Sequence, residues 1–342
     1  MKKILLTIFQ LSVTVAILVW VFHDPNKRLQ MKEALRMAEY SWIFGAIAAY
    51  GVVEVAAAFR WHVLLKVQGI TLSVTRVFGL FFIGMFYNQF LPGGTGGDII
   101  KTYLLFKETP GRKAGALLAV IFDRLIGLVA LVTITSILTM MRFQWLAQTP
   151  QTRGFLWFLL IALGSSILAL FTSFVISGFN LADRLPERFP GREKIIETSA
   201  AYHLYAHHWR TTLMAFGLSV IAHLATFATF LCVAYALRAN VAVIDFFAIM
   251  PIERTISALP ISFGGAGWRE VVLQIMLTNL CGVPAGVANL IGSLGFLVIL
   301  ICCVPGGIIY LLYKPSGATG HVGMREMKRE VATLEHKITE RE

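Results

Sequence analysis

Long apolar runs separated by short polar stretches dominate the chain. A transmembrane helix needs about 20 mostly apolar residues, because the hydrocarbon core of a bilayer is about 30 Å thick. Six runs meet this requirement and are predicted to be full spans, at residues 4–22, 42–59, 114–141, 155–176, 211–237 and 285–313. Pro305 is expected to bend the last span.

Two further apolar regions are interrupted by proline and clustered glycines. One contains Leu91-Pro-Gly-Gly-Thr-Gly-Gly-Asp98, and the other contains Leu259-Pro-Ile-Ser-Phe-Gly-Gly-Ala-Gly-Trp-Arg269. Residues 77–90 would form a helix of only about 21 Å, which is too short to cross. A broken helix leaves backbone groups unpaired, and a membrane protein tolerates this only inside protein or beside a wet cavity. Two re-entrant helix–loop–helix units are therefore predicted.

The composition agrees with an all-α polytopic membrane protein. The 342 residues are 57% hydrophobic and 14% charged, whereas a soluble chain carries about 25% charge. A membrane domain is predicted over residues 1–314, and residues 315–342 are predicted to be a cytoplasmic amphipathic tail. The net charge of +11 resides mostly in loops, so no nucleic-acid partner is expected. No metal or cofactor is expected either.

The distribution of basic residues predicts the orientation. With the N-terminus inside, the inner loops and tail hold 19 of the 30 Lys and Arg residues, and the outer loops hold seven. The positive-inside rule then places both termini in the cytoplasm, with the protein in the inner membrane. The basic stretch 26–39 disagrees with this rule. In this topology the two re-entrant units enter from opposite sides, as an inverted repeat.

Three motifs in a fixed order give a family resemblance. They are Asn88-Gln-Phe-Leu-Pro-Gly-Gly-Thr-Gly-Gly-Asp98, then Phe122-Asp-Arg124, then the second break through Glu270. Together they resemble the lysylphosphatidylglycerol synthase transmembrane (flippase-like) family, over roughly residues 1–315. The resemblance implies lipid translocation. Two-domain members also carry a cytosolic aminoacyltransferase domain, which is expected to be absent here.

Charged residues at membrane depth define the candidate site. Each costs about 2.5–3.5 kcal/mol on insertion scales, so an interior role is the default. Helix N-termini and glycine-rich backbone favour anions. Arg124 and Arg269 are therefore predicted to bind one mid-membrane phosphate together. The candidate substrate-binding residues are Asn88, Gly96, Gly97, Asp98, Lys101, Asp123, Arg124, Glu253, Arg254, Gly267, Arg269 and Glu270.

Structural roles remain open for several of these side chains. Asp98 is also a good N-cap for the returning helix. Asp123 and Arg124 point about 100° apart on a helix and are expected to pair with other spans. Glu54 and His223 are single polar residues within spans, and satisfied interior contacts are expected for both.

The predicted function is a lipid translocase for a phosphate-bearing lipid or lipid-linked intermediate. Two alternatives remain, an integral-membrane transferase using a polyprenyl-phosphate or lipid donor, and a small-solute secondary transporter. The sequence lacks H-E-x-x-H, G-x-S-x-G and nucleotide phosphate-loop motifs, so enzyme activity is less favoured. Membrane lipids are the expected partners. A lipid-modifying enzyme or glycosyltransferase partner and an oligomer are both compatible with the sequence.

Overall fold

A computed structural model describes residues 2–90, 96–178, 196, 203–259 and 262–313, and within these ranges the regular structure is entirely helical. The helices are α1 (Lys2–His23), α2 (Pro25–Arg36), α3 (Tyr40–Val67), α4 (Val74–Phe90), α5 (Gly96–Glu108), α6 (Lys113–Leu146), α7 (Pro150–Gly178), α8 (Trp209–Ala236), α9 (Val243–Ser257), α10 (Trp268–Cys281) and α11 (Ala285–Leu312). A 3₁₀ turn, Phe263–Gly265, lies between α9 and α10.

Five of the six predicted spans are confirmed as helices that are long and apolar enough to cross a membrane, namely α3, α6, α7, α8 and α11. The sixth, α1, is a helix of 22 residues. The chain is therefore a multi-pass helical membrane protein. The predicted tail at 315–342 lies outside the described residues, as does most of the loop 178–210.

The first glycine-rich break separates two helices that pack as an antiparallel pair. Asn88 Oδ1 accepts a hydrogen bond of 2.8 Å from the backbone N–H of Gly97. One turn further from the break, Gly84 lies against Lys101. The contacts between α4 and α5 thus continue along both helices with increasing distance from the break. The two helices therefore form a hairpin, called here the first hairpin.

The second break has the same arrangement. Gly265 lies against Ser257, and the Arg269 guanidinium lies 3.5 Å from the Glu253 carboxylate, further from the break. α9 and α10 therefore form the second hairpin. Gly264, Gly265 and Gly267 have positive φ angles of 59°, 74° and 89°, which only glycine adopts without strain.

The bases of the two hairpins lie at opposite ends of the bundle. At the first end, Arg112 contacts the Gln68 carbonyl at 3.3 Å, and Glu108 accepts hydrogen bonds from Arg76 and Tyr313. These contacts join the base of the first hairpin to the C-terminal ends of α3 and α11.

At the second end, the Glu39 N–H donates to the Ala236 carbonyl at 2.8 Å, which joins the start of α3 to the end of α8. Arg142, near the end of α6, forms an ion pair of 2.8 Å with Asp245, at the start of α9. The second hairpin therefore begins where α3 begins, whereas the first hairpin begins where α3 ends.

One predicted boundary is wrong. The sequence placed the end of the second span at residue 59 and assigned Arg60 to a basic connector, but α3 continues to Val67. Arg60 therefore lies about 10 Å inside the helix. The residues after it, including Trp61, Leu64 and Leu65, are buried, so packing rather than local charge decides where this helix ends.

Candidate functional site

Five charged side chains of α3, α5 and α6 form a network, called here the first cluster, in which four are largely buried and Arg124 is exposed. Asp123 is 2% exposed and accepts a hydrogen bond of 2.7 Å from Arg60 Nε. Lys101 Nζ lies 3.8 Å from Asp123 and 3.6 Å from Asp98. Asp98 also pairs with Arg124. With three cations and two carboxylates, the first cluster has one positive charge in excess, which favours an anionic ligand.

Aromatic rings complete the environment of Lys101. Its ammonium group lies 4.6 Å from the Trp61 ring centroid and 5.4 Å from that of Phe81. Cation–π contacts of this kind stabilise a cation that has lost water. Lys101 is only 3% exposed, so these rings and the two carboxylates replace its hydration.

Asp98 lies in the first turn of α5, which begins at Gly96. Its carboxylate contacts Lys101 and Arg124. The expectation that Asp123 and Arg124 choose different partners is confirmed, since Asp123 binds Arg60 and Arg124 binds Asp98.

Close backbone contact at Gly97 holds the first cluster in place. A Cβ atom at Gly97 would lie 1.9 Å from the Gly84 carbonyl oxygen and 2.7 Å from Asn88. No side chain fits at that distance. Glycine therefore brings α5 against α4, and this contact sets the positions of Asp98 and Lys101 on the next turns.

Charged side chains of α9 and α10 form the second cluster. Glu253 is completely buried, accepts a hydrogen bond of 3.0 Å from Arg254 and lies 3.5 Å from Arg269. Arg269 donates to the Gly264 carbonyl at 2.8 Å and lies 4.3 Å from the Phe296 ring centroid. A buried charge needs this kind of compensation.

Glu270 has a structural position at the start of α10. One carboxylate oxygen accepts from the Gly267 N–H at 2.7 Å, and the other accepts from Ser293 at 3.2 Å. The first contact is half of a capping box, which satisfies a backbone donor at the helix start. Glu270 thus fixes the orientation of the helix that carries Arg269.

The second cluster contains polar atoms without hydrogen-bond partners among the described residues. They include Arg254 Nη2, Arg269 Nη1, Ser257 Oγ and Ser262 Oγ. Buried polar atoms in proteins are almost always hydrogen-bonded. This concentration of unused donors marks the second cluster as a place able to hold a polar group.

The two clusters lie at different depths. Arg124 is about 17 Å from the start of α6 at the first end, and Glu253 is about 15 Å from the start of α9 at the second end. Since α3 is about 42 Å long, the clusters are about 10 Å apart along the bundle. Among the described residues, no contact joins Arg124 to Arg269. The two clusters are therefore better described as two separate polar sites, called here polar stations, than as one shared phosphate contact.

Arg124 belongs to the exposed apolar face of α6. Leu117, Ile121, Arg124 and Leu128 recur at intervals of four, three and four residues, and all are exposed. The Arg124 side chain is 58% exposed, while the adjacent Asp123 is buried. One helix face therefore presents a guanidinium among apolar side chains, directly beside the first cluster.

Several side chains of these networks were not among the predicted site residues. Arg60 supplies the shortest contact to Asp123 and also donates to Ser219 at 2.9 Å. Trp61 covers Lys101, and Ser293 supports Glu270. The continued apolar pattern after Arg60 indicated that the helix extends further. Nothing in the local pattern distinguished Ser219 or Ser293 from other serines in spans.

Comparison with known proteins identifies a family of membrane proteins that this chain resembles over most of its length. The sequence profile of the lysylphosphatidylglycerol synthase TM region matches residues 7–307. UPF0104 membrane protein PH1989 of Pyrococcus horikoshii is 31% identical over 134 residues, which are 39% of this chain and 38% of that protein. The matched segment thus spans well under half of that relative. On the profile match, the chain belongs to the lysylphosphatidylglycerol synthase transmembrane-region family.

Proposed function

We propose that this protein is a lipid translocase that moves a phosphate-bearing lipid, or a lipid-linked intermediate, between the leaflets of the inner membrane. The observation that carries the proposal is Arg124, an exposed arginine on an apolar helix face next to the buried members of the first cluster. A headgroup could reach this site sideways from the bilayer while its chains stay in lipid.

The charge balance favours a phosphate. Asp98 and Asp123 offset two of the three cations of the first cluster, so one positive charge remains in excess. An arginine binds phosphate oxygens through a planar fork of donors, and such charge-assisted bonds are stronger than neutral ones. A zwitterionic or anionic phospholipid headgroup would meet this requirement.

The two hairpins suggest how the headgroup crosses. We interpret them as re-entrant units of an inverted repeat, each placing a polar station inside the membrane. The headgroup would enter at Arg124, cross about 10 Å to the unused donors of Arg254 and Arg269, and leave towards the second end. Discontinuous helices with sites near the midplane are typical of transporters.

The two alternatives receive less support. A transferase needs an available base, whereas Asp98 and Asp123 each accept from an arginine. A small-solute transporter would keep its site closed to lipid, whereas Arg124 faces outward. A lipid-modifying enzyme or glycosyltransferase that supplies the lipid remains a reasonable partner.

Reconstitution tests the proposal. The purified protein is placed in liposomes that contain a fluorescent phospholipid, and a quencher outside the vesicles reports leaflet exchange. We expect faster exchange than in protein-free liposomes, and slower exchange for a neutral glycolipid without phosphate. Equal exchange in liposomes with and without protein, for every lipid tested, would remove the translocase proposal.

A further inference from the structure

Glu54 lies at the midpoint of α3, the span that begins at the second end and finishes at the first. It is 14 residues after Tyr40 and 13 before Val67, so about 20 Å of helix lies on either side. The residue is 4% exposed. It therefore lies at a depth between the two clusters, where water is least accessible.

The carboxyl group of Glu54 lacks the compensation that the other buried acids have. Its Oε1 atom is enclosed and has no hydrogen-bond partner among the described residues. None of the described Lys, Arg or His side chains forms an ion pair with it. Asp123 and Glu253 have arginine partners, and Glu270 caps a helix. Glu54 thus departs from the expectation of satisfied interior contacts.

Burial favours the neutral form of Glu54. Tyr50 lies one turn away on α3, and α11, which carries Cys302 and Cys303, packs against α3. Arg254 on α9 pairs with Glu253. On α8, His223 is held by the Gly127 carbonyl of α6 at 3.0 Å. The structure gives Glu54 no charged neighbour on α4, which also packs on α3.

An isolated carboxylate in such a place is strongly disfavoured, so the group holds a proton there. It can lose that proton only when a conformational change brings water or a cation to it. Intramembrane acids with this property mark proton pathways in transporters.

We propose that Glu54 is the proton-binding group that couples headgroup movement to proton movement. This inference rests on the proposed lipid translocation. When the path is open to one end, the carboxylate takes a proton from hydronium and leaves water. When the path is open to the other end, the carboxylic acid returns the proton to water and becomes a carboxylate again. One proton would accompany each headgroup.

The steady-state distribution of lipid between leaflets measures this coupling. Proteoliposomes with a fluorescent phospholipid receive a gradient of one pH unit, while potassium and valinomycin hold the membrane potential at zero. Coupling to one proton shifts the leaflet ratio by up to about tenfold per pH unit. An uncoupled translocase leaves the ratio unchanged.

Glu54→Gln tests the residue, because the amide has nearly the same shape and binds no proton. We expect this variant to exchange lipid without a gradient but to lose the shift in leaflet ratio. Glu54→Asp should keep the shift. Glu39→Gln is the matched control, since Glu39 is exposed at the second end and pairs with Arg238, and it should behave as the wild type.

Each result decides between the proposals. If the leaflet ratio in the wild type does not respond to the gradient, or if the shift persists in Glu54→Gln, the proton coupling is wrong. Lipid exchange without a gradient would in that case still support the translocase. Absence of any exchange in the wild type removes both.

Infrared spectroscopy supplies a second measurement. The carbonyl band of a protonated acid should be present in the wild type and absent in Glu54→Gln. If the glutamine variant does not fold, Glu54→Asp should shift that band. An unchanged band in every folded variant contradicts the proposal.

Discussion

Lys101 and Arg269 occupy equivalent positions in the two hairpins. Each follows the leucine of a Leu-Pro pair by ten residues. Each is 3% exposed, lies beside a carboxylate and faces an aromatic ring, Trp61 in one case and Phe296 in the other. The returning helix of each hairpin thus carries one buried cation at the same sequence offset from its Leu-Pro pair, although Lys101 is the sixth residue of α5 and Arg269 is the second residue of α10.

Replacing Arg269 separates its binding role from its structural role. Arg269→Met leaves the buried Glu253 with one partner fewer, and we expect a loss of about 3–5 kcal/mol in the free energy of unfolding. In the double variant Arg269→Met/Glu253→Gln the carboxylate is replaced by an amide that can still accept from Arg254, and part of that stability should return. Thermal unfolding and leaflet exchange are measured on the same samples. Lipid exchange should stay low in both variants. If exchange recovered together with stability, the role of Arg269 would be purely structural.

Gly97 should tolerate no side chain. A Cβ atom there would lie 1.9 Å from the Gly84 carbonyl, so Gly97→Ala must separate α4 from α5. Overpacking of this kind costs about 1–3 kcal/mol of stability. Lipid exchange should also fall, because Asp98 and Lys101 are displaced. Gly111→Ala is the control, because Gly111 has nothing within 4 Å of such an atom. Melting temperature and exchange are compared, and equal behaviour of the two variants would contradict the packing argument.

The two ends of the bundle should label from opposite sides of the membrane. Single cysteines at Gly111 and Asn240, in a protein whose four native cysteines are serine, lie at the first and second ends respectively. The charge distribution predicts that the first end lies in the cytoplasm. A membrane-impermeant maleimide added to intact cells whose outer membrane is permeabilised should label only Asn240→Cys. The reverse pattern would invert the orientation, and labelling of both would contradict the two-ended arrangement.

Much of the fold could be predicted from hydropathy. A membrane tolerates broken helices in few places, so Pro92 and the glycines after it located one hairpin, and Pro260 located the other. The end of α3 was mispredicted because Arg60 resembles a loop residue. Its charge is compensated by Asp123 and Ser219, which are 63 and 159 residues away in the chain.

Less of the candidate site than of the fold could be predicted from the sequence. Their charge at membrane depth identified Asp98, Lys101, Arg124 and Arg269, because a charged side chain at that depth is expected to have a role in the protein interior. Their grouping depends on which helices touch, and that follows from contacts such as the one at Gly97. From the sequence, the depth of a residue can be estimated only relative to the end of its own helix. The difference in depth between Arg124 and Arg269 could therefore be found only from the way α6 packs against α9.

Arg60 and Arg124 should differ in what they contribute. Arg60 is mostly buried against Asp123, with side-chain exposures of 12% and 3%. Arg60→Met should therefore cost about 3–5 kcal/mol of stability, since it removes the closest partner of a buried carboxylate. The Arg124 side chain is 58% exposed, and Asp98 keeps Lys101 as a partner when Arg124 is removed, so Arg124→Met should cost less stability than Arg60→Met. Chemical denaturation of both variants checks this order, and a larger loss for Arg124→Met would contradict it.

Leaflet exchange by Arg124 variants tests the central claim most directly. Wild type, Arg124→Ala, Arg124→Lys and the control Arg210→Ala, an exposed arginine at the first end, are reconstituted at equal folded amounts with a fluorescent phospholipid. Loss of one charge-assisted contact to phosphate should slow exchange at least about tenfold, equivalent to 1.4 kcal/mol or more. Arg124→Lys should remain impaired because it lacks the planar fork, and Arg210→Ala should match the wild type. Wild-type exchange rates in Arg124→Ala, at an unchanged folded fraction, would contradict a headgroup site at Arg124.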